Sequence, residues 1–189
     1  MAPIIGIIAS GNWAGANASS YYSIATVTVG SGGSSSVDFT SIPSTYSHLQ
    51  IRMIGKTNRA ATNQDDLLIR LGNGSLDTGS NYADHVLRGD GATASANAHT
   101  SQTRIGLDNC LGTTTSGVFS GNVIDILDYA NTNKYKTVRM LGGFDYNGGG
   151  WITLGSGLWM STSAVDTLRL YANGTFQQYS SFALYGIKS

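Results

Sequence analysis

The densest group of reactive side chains lies in VIDILDYANTNKYKTVRM, residues 123 to 140, which brings Asp125, Asp128, Tyr129, Lys134, Tyr135 and Lys136 into one short stretch. Glycoside hydrolysis would need two carboxyls about 5 to 9 Å apart across a groove. Asp125 and Asp128 are separated by an odd number of positions, which on a strand sends them to opposite faces. The ANTN run at 130 to 133 is a turn signal between two alternating segments. Lys134, Lys136 and Asp128 are therefore expected to bracket the end of a hairpin, in solvent. The other carboxylate pairs, Asp65 with Asp66 and Asp84 with Asp90, define no groove in the sequence.

His48, His85 and His99 are far apart in sequence and show no zinc-ligand spacing. No acidic loop reaches the five or more oxygen ligands that calcium takes. Cys110 follows His99 by eleven residues but lacks a strand-to-helix turn that would present a nucleophile. A single cysteine also excludes an intramolecular disulfide. The expectation is a protein with no catalytic residues, no metal and no cofactor. RGDG at 88 to 91 reads as a turn, for which Gly91 is sufficient reason.

Aromatic residues carry more information, with ten tyrosines and three tryptophans in the chain. Tyr21, Tyr22, Tyr82, Tyr146 and Trp151 stand in loops or beside glycine. Such side chains bury apolar area while keeping a polar tip satisfied, which suits protein interfaces and sugar-binding grooves. They also close the ends of β cores, and both roles stay open here.

The elements that would position these groups are strands. All eleven acids are Asp, and 25 glycines with abundant Ser and Thr favour turns and extended chain over helix. HLQIRMIGK (48 to 56) alternates cleanly, and LLIRLG (67 to 72) reads as its return strand in a long hairpin. Residues 89 to 117 are rich in small polar residues and read mostly as loop, with a weak strand at 102 to 107. NGT at 173 to 175 reads as a tight turn. The whole predicts an all-β, antiparallel β-sandwich of jelly-roll type with about nine or ten strands, a barrel being the alternative.

Only 12% of residues are charged and the formal net charge is zero. A nucleic-acid partner, which calls for a basic patch, is not expected. Nor is a membrane, because the apolar start of MAPIIGIIASGNWAG is too short to span one. That start instead defines an arm or edge strand over residues 1 to 22, with Ile4, Ile5, Ile7, Ile8 and Trp13 as anchoring residues, ahead of a single body over 23 to 189. The last strand runs almost to the C-terminus, so truncation there is expected to be damaging.

The runs FTSIPSTYSHLQIRMIGKTNRA (39 to 60), NGSLDTGSNYADHVLRGDGA (73 to 92) and LRLYANGTFQQYSSFALYGIKS (168 to 189) resemble a group of small β-rich virion proteins of tailed bacteriophages. The resemblance covers residues 23 to 189, and departs from its pattern in the longer LGNGSLDTGSNY turn. It implies a structural protein at the particle surface, placed in different members on the head as decoration, on head fibres or on tail appendages. The partners it implies are the major capsid protein or another virion protein, a homotrimeric assembly and, for a tail location, cell-surface glycan. It implies no catalytic residues.

Overall fold

The computed structural model describes residues 20 to 60, 62 to 113 and 115 to 188. The anchoring candidates Ile4, Ile5, Ile7, Ile8 and Trp13 lie outside the described residues, as does the side chain of Cys110. Thirteen strands form: β1 (Tyr21–Thr28), β2 (Ser34–Phe39), β3 (His48–Gly55), β4 (Gln64–Asn73), β5 (Ser75–Leu76), β6 (Tyr82–Gly89), β7 (Ala94–Gln102), β8 (Ile105–Gly112), β9 (Ser120–Leu127), β10 (Lys136–Asp145), β11 (Gly150–Trp159), β12 (Thr167–Phe176) and β13 (Ser181–Ile187). No helix occurs among the described residues.

The strands make two antiparallel sheets. One has eight strands in the order β1-β13-β3-β9-β10-β11-β6-β7; the other has five, β2-β12-β4-β5 with β8 paired to β4. Thirteen strands exceed the nine or ten expected, largely because residues 89 to 117 are mostly strand rather than loop. β7, ASANAHTSQ, is an edge strand with no buried residue, so burial imposes no alternation on its sequence.

The hairpin expected over residues 48 to 72 does not form. β3 pairs with β13 and β9 in the larger sheet, whereas β4 pairs with β12, β8 and β5 in the smaller one. Alternation reports that a strand has one buried face, and says nothing about which sheet supplies its neighbours. Residues 173 to 175, read as a tight turn, lie within β12, where a register shift between Tyr171 and Phe176 bends the strand. The β9–β10 hairpin does form, with Thr137 opposite Leu127 through to Gly143 opposite Gly121.

Both sheets contribute to one apolar cluster. Leu49, Ile51, Met53, Ile124, Ile126, Val138, Phe182 and Leu184 from the larger sheet meet Leu67, Ile69, Leu71, Leu168 and Leu170 from the smaller one. Burying each such side chain contributes about 1.5 to 3 kcal/mol relative to leaving it in water. β8 lies tight against β11. A Cβ added to Gly155 would meet Leu107 Cδ2 at 2.6 Å, and one added to Gly157 would meet Ile105 Cγ2 at 2.5 Å. The opposite side of β8 faces β6 and β7, since the Gly106 N–H donates to Asp84 (2.9 Å) and Asp108 binds Arg88 and Asn97 (both 2.8 Å). The larger sheet thus curls around β8, and that curl creates the cleft described next.

Candidate functional site

Two clusters of ionisable side chains stand out, and only one is saturated by its own chain. The first is the β9–β10 turn. Asp125 stays on the strand, accepting from Gln50 (2.9 Å) and pairing with Arg139 (2.8 Å). Asp128 leaves it with a positive φ of 49°, pairs with Lys134 through its carboxylate and donates its backbone N–H to His48 Nδ1 at 2.9 Å. The Lys134 hydrogen bond holds the Asp128 carboxyl below its ordinary range despite the opposing effect of burial. Lys136, expected in solvent, is 0% exposed. Its ammonium donates to the carbonyls of Asn131 (2.6 Å), Lys134 (2.8 Å) and Thr162 (3.3 Å). This cluster ties off the turn; each carboxylate has its own partners, and the alternation expected to send Asp125 and Asp128 to opposite faces does not reach Asp128, which lies past the end of β9.

The second cluster lines a cleft of about 350 Å³ between β4, β6, β7 and β8. Asp84, 2% exposed, holds the His99 imidazole through Nδ1 at 2.7 Å and accepts the Gly106 N–H with its other oxygen. Arg88 pairs with Asp108 at 2.8 Å. Arg59 spans Asp65 (3.2 Å) and Asp66 (3.6 Å). Asp65 is itself buried and accepts from Thr57, Asn173 and the Gly174 N–H. Arg104 differs from all of these: it makes no ion pair among the described residues, and its Nε is buried without a hydrogen-bond partner. Gln64, Gln102 and Thr62 complete the polar wall.

The cleft was not legible in advance. Its charged groups come from positions 59, 66, 84, 88, 99, 104 and 108, and only the curl of the larger sheet joins them. The His99–Asp84 pair resembles the base and orienting acid of a hydrolytic site. The second imidazole nitrogen of His99 has no hydrogen-bond partner among the described residues. Among the described residues no group of three or more His, Cys, Asp or Glu side chains is placed to hold a metal ion.

The aromatic candidates separate. Tyr82 is in the core, 0% exposed, stacked on Trp159 with ring centroids 6.5 Å apart. Its hydroxyl accepts from the Leu71 N–H and meets the carbonyls of Leu71 and Asp77, and burial pushes its pKa up to about 12. It therefore has no surface to offer a partner. Tyr21 is exposed with Arg52 over its ring at 5.2 Å, and Tyr22 packs on Tyr46 under Lys188. Tyr146 stacks on Phe144, and Trp151 lies beneath Arg88. Trp151 and Phe144 border a glycine-rich depression at one end of the β10–β11 hairpin.

A surface feature went unnoticed in the sequence. Val123, Leu141, Leu154 and Leu87 stand opposite one another across β9, β10, β11 and β6, forming one row on the outer face of the larger sheet. Ile54 and Ile152 belong to the adjacent row on that face, spaced by Gly121 and Gly143. All six are at least 41% exposed, Leu141 reaching 56% and Ile152 64%. The five strands involved span about 19 Å at ~4.8 Å each. The signal was present, since these strands are apolar at both alternating positions, the pattern of a strand covered on both faces.

No protein-family model, curated protein or solved structure matches the chain.

Proposed function

We propose that this protein is a non-enzymatic structural component of a bacteriophage particle, attached to the head surface as a decoration or cement protein. The observation that supports the reading is the outer face of the larger sheet. Soluble monomers rarely expose a contiguous apolar patch of this kind without using it, and a rim of charged residues around such a patch is the composition of a contact surface. Arg52 and the Asp125–Arg139 pair supply that rim here. In this reading the two sheets form a sandwich of jelly-roll type, a framework that suits a displayed module. The major capsid protein or a neighbouring copy in a homotrimer covers the patch.

The test is quantitative. The protein should be present at dozens to hundreds of copies per particle relative to the major capsid protein. Leu141→Lys with Leu154→Lys should leave the purified chain folded but abolish its co-sedimentation with particles that lack it. A handful of copies, or undiminished co-sedimentation of the double variant, overturns the head reading.

A second reading, a tail or fibre protein that binds host glycan, is favoured by one observation. The β4–β6–β7–β8 cleft is walled almost entirely by hydrogen-bonding side chains, which suits a hydroxyl-rich ligand.

A further inference from the structure

The cleft between β4, β6, β7 and β8 is built mainly from groups that neutralise one another, and the exception is informative. Asp84 is engaged by His99 and the Gly106 N–H, and Asp108 by Arg88 and Asn97. Asp66 is engaged by Arg59 and Asn173. Each carboxylate therefore has its own donors. Arg104 is left over, the one lining guanidinium with no carboxylate partner among the described residues and with a buried Nε that donates to nothing. A buried donor without an acceptor is disfavoured, and such groups in native structures generally mark a missing ion, water or ligand.

We propose that this cleft binds a saccharide unit carrying one carboxylate, of the uronic or sialic acid class, with Arg104 receiving the carboxylate. Four features select that chemistry. The planar guanidinium matches a carboxylate in a two-point hydrogen-bonded pair. Arg104 is the one lining guanidinium with no carboxylate bound to it; the three lining arginines are matched in number by Asp66, Asp84 and Asp108, so what the cleft offers a ligand is one open hydrogen-bonding cation and not a surplus of positive charge, which suits one carboxylate and not several. Gln64, Gln102, Thr62 and the outer nitrogen of His99 offer donors and acceptors to hydroxyls around it. The volume, about 350 Å³, lies at the small end of ligand sites and suits a single ring rather than a peptide segment. The proposal rests on the glycan-binding reading and names its ligand class.

The experiment is a titration of the full chain, followed by NMR, with glucuronic acid and N-acetylneuraminic acid, and with methyl glucoside as the neutral control. Saturable shifts with an acidic sugar, at least tenfold weaker for methyl glucoside, are expected. Arg104→Gln should weaken acidic-sugar binding at least tenfold. Arg104→Lys, which keeps the charge and loses the planar fork, should fall between. Arg169→Gln, which removes an arginine paired with Asp38 on the neighbouring strand β2 and outside the cleft lining, should bind like the parent. Arg104→Gln binding acidic sugar as well as the parent does overturns the assignment. Neutral sugar bound as tightly as acidic sugar overturns the ligand class while leaving glycan binding intact; no response to any saccharide overturns both.

Discussion

The β9–β10 turn and the β4–β6–β7–β8 cleft are made of the same residue types and reach opposite conditions. At the turn, Lys136 is buried with three carbonyls around its ammonium, and Lys134 and His48 flank Asp128. In the cleft, Arg88, Arg59 and His99 are matched and Arg104 is not. A polar cluster whose partners all lie within the chain is a device of the fold. One that leaves a donor over has capacity for something else. The density of reactive residues is highest at the turn, the cluster whose partners all lie within the chain.

The largest effect should come from breaking the saturated cluster. Lys136→Ala removes a buried cation together with its packed stem and leaves the carbonyls of Asn131, Lys134 and Thr162 without their shared donor. Losing hydrogen bonds from a charged donor costs about 1.5 to 3 kcal/mol and deleting its packed stem adds to that, so a total of roughly 3 to 5 kcal/mol is expected. Urea denaturation measures it. A loss under about 1 kcal/mol would mean that the turn does not depend on Lys136, and the contrast between the two clusters would fail.

Tyr82 is a second saturated group, and pH probes it. Its folded pKa, about 12, lies above the ordinary 10.0 because burial disfavours the phenolate. A raised folded value contributes stability that is fully present below pH 10 and is lost as the pH climbs through 12. Two units correspond to about 2.7 kcal/mol as an order of magnitude. Burial raises Tyr129 in the same direction, so it adds to the slope. Thermal unfolding from pH 9 to 12 should show the decline, and Tyr82→Phe should flatten part of it while lowering stability at neutral pH, because the Leu71 N–H loses its acceptor. An unchanged slope in Tyr82→Phe would assign the alkaline loss elsewhere.

What could be read in advance follows the range of each signal. Local alternation located β3 and the β9–β10 hairpin, whereas the odd spacing of Asp125 and Asp128 decides nothing, because Asp128 lies past the end of β9. Alternation was silent wherever burial does not act on the sequence, as in β7, and it could not tell that β3 and β4 belong to different sheets. Tyr82 stands beside a serine- and glycine-rich turn, and the sequence leaves an interface role and a core role equally open to it. Its burial depends on Trp159 and Leu71, which the fold brings to it. Lys136 shows the same limit, since Thr162 lies 26 positions away. Arg104 had no local mark at all, because what distinguishes it is the absence of a partner after all the others have been matched.

The smallest stability effect should come from that residue, and it decides whether the two clusters differ in kind. Arg104→Gln breaks no ion pair, and it removes a buried Nε whose hydration was given up without return. Its expected effect on unfolding free energy is within about 0.5 kcal/mol in either direction, the range of a substitution that touches no structural feature. Arg88→Gln, in the same cleft, strips Asp108 of its charged partner and should destabilise by about 1 to 3 kcal/mol. Parallel urea titrations of the two variants separate the cases. If Arg104→Gln costs as much as Arg88→Gln, then Arg104 is held by the fold as Lys136 is, and the cleft has no free donor to give a ligand. If the two differ as expected, Arg104 is an arginine that the chain keeps partly buried without gaining stability from it, and a ligand's carboxylate accounts for its place.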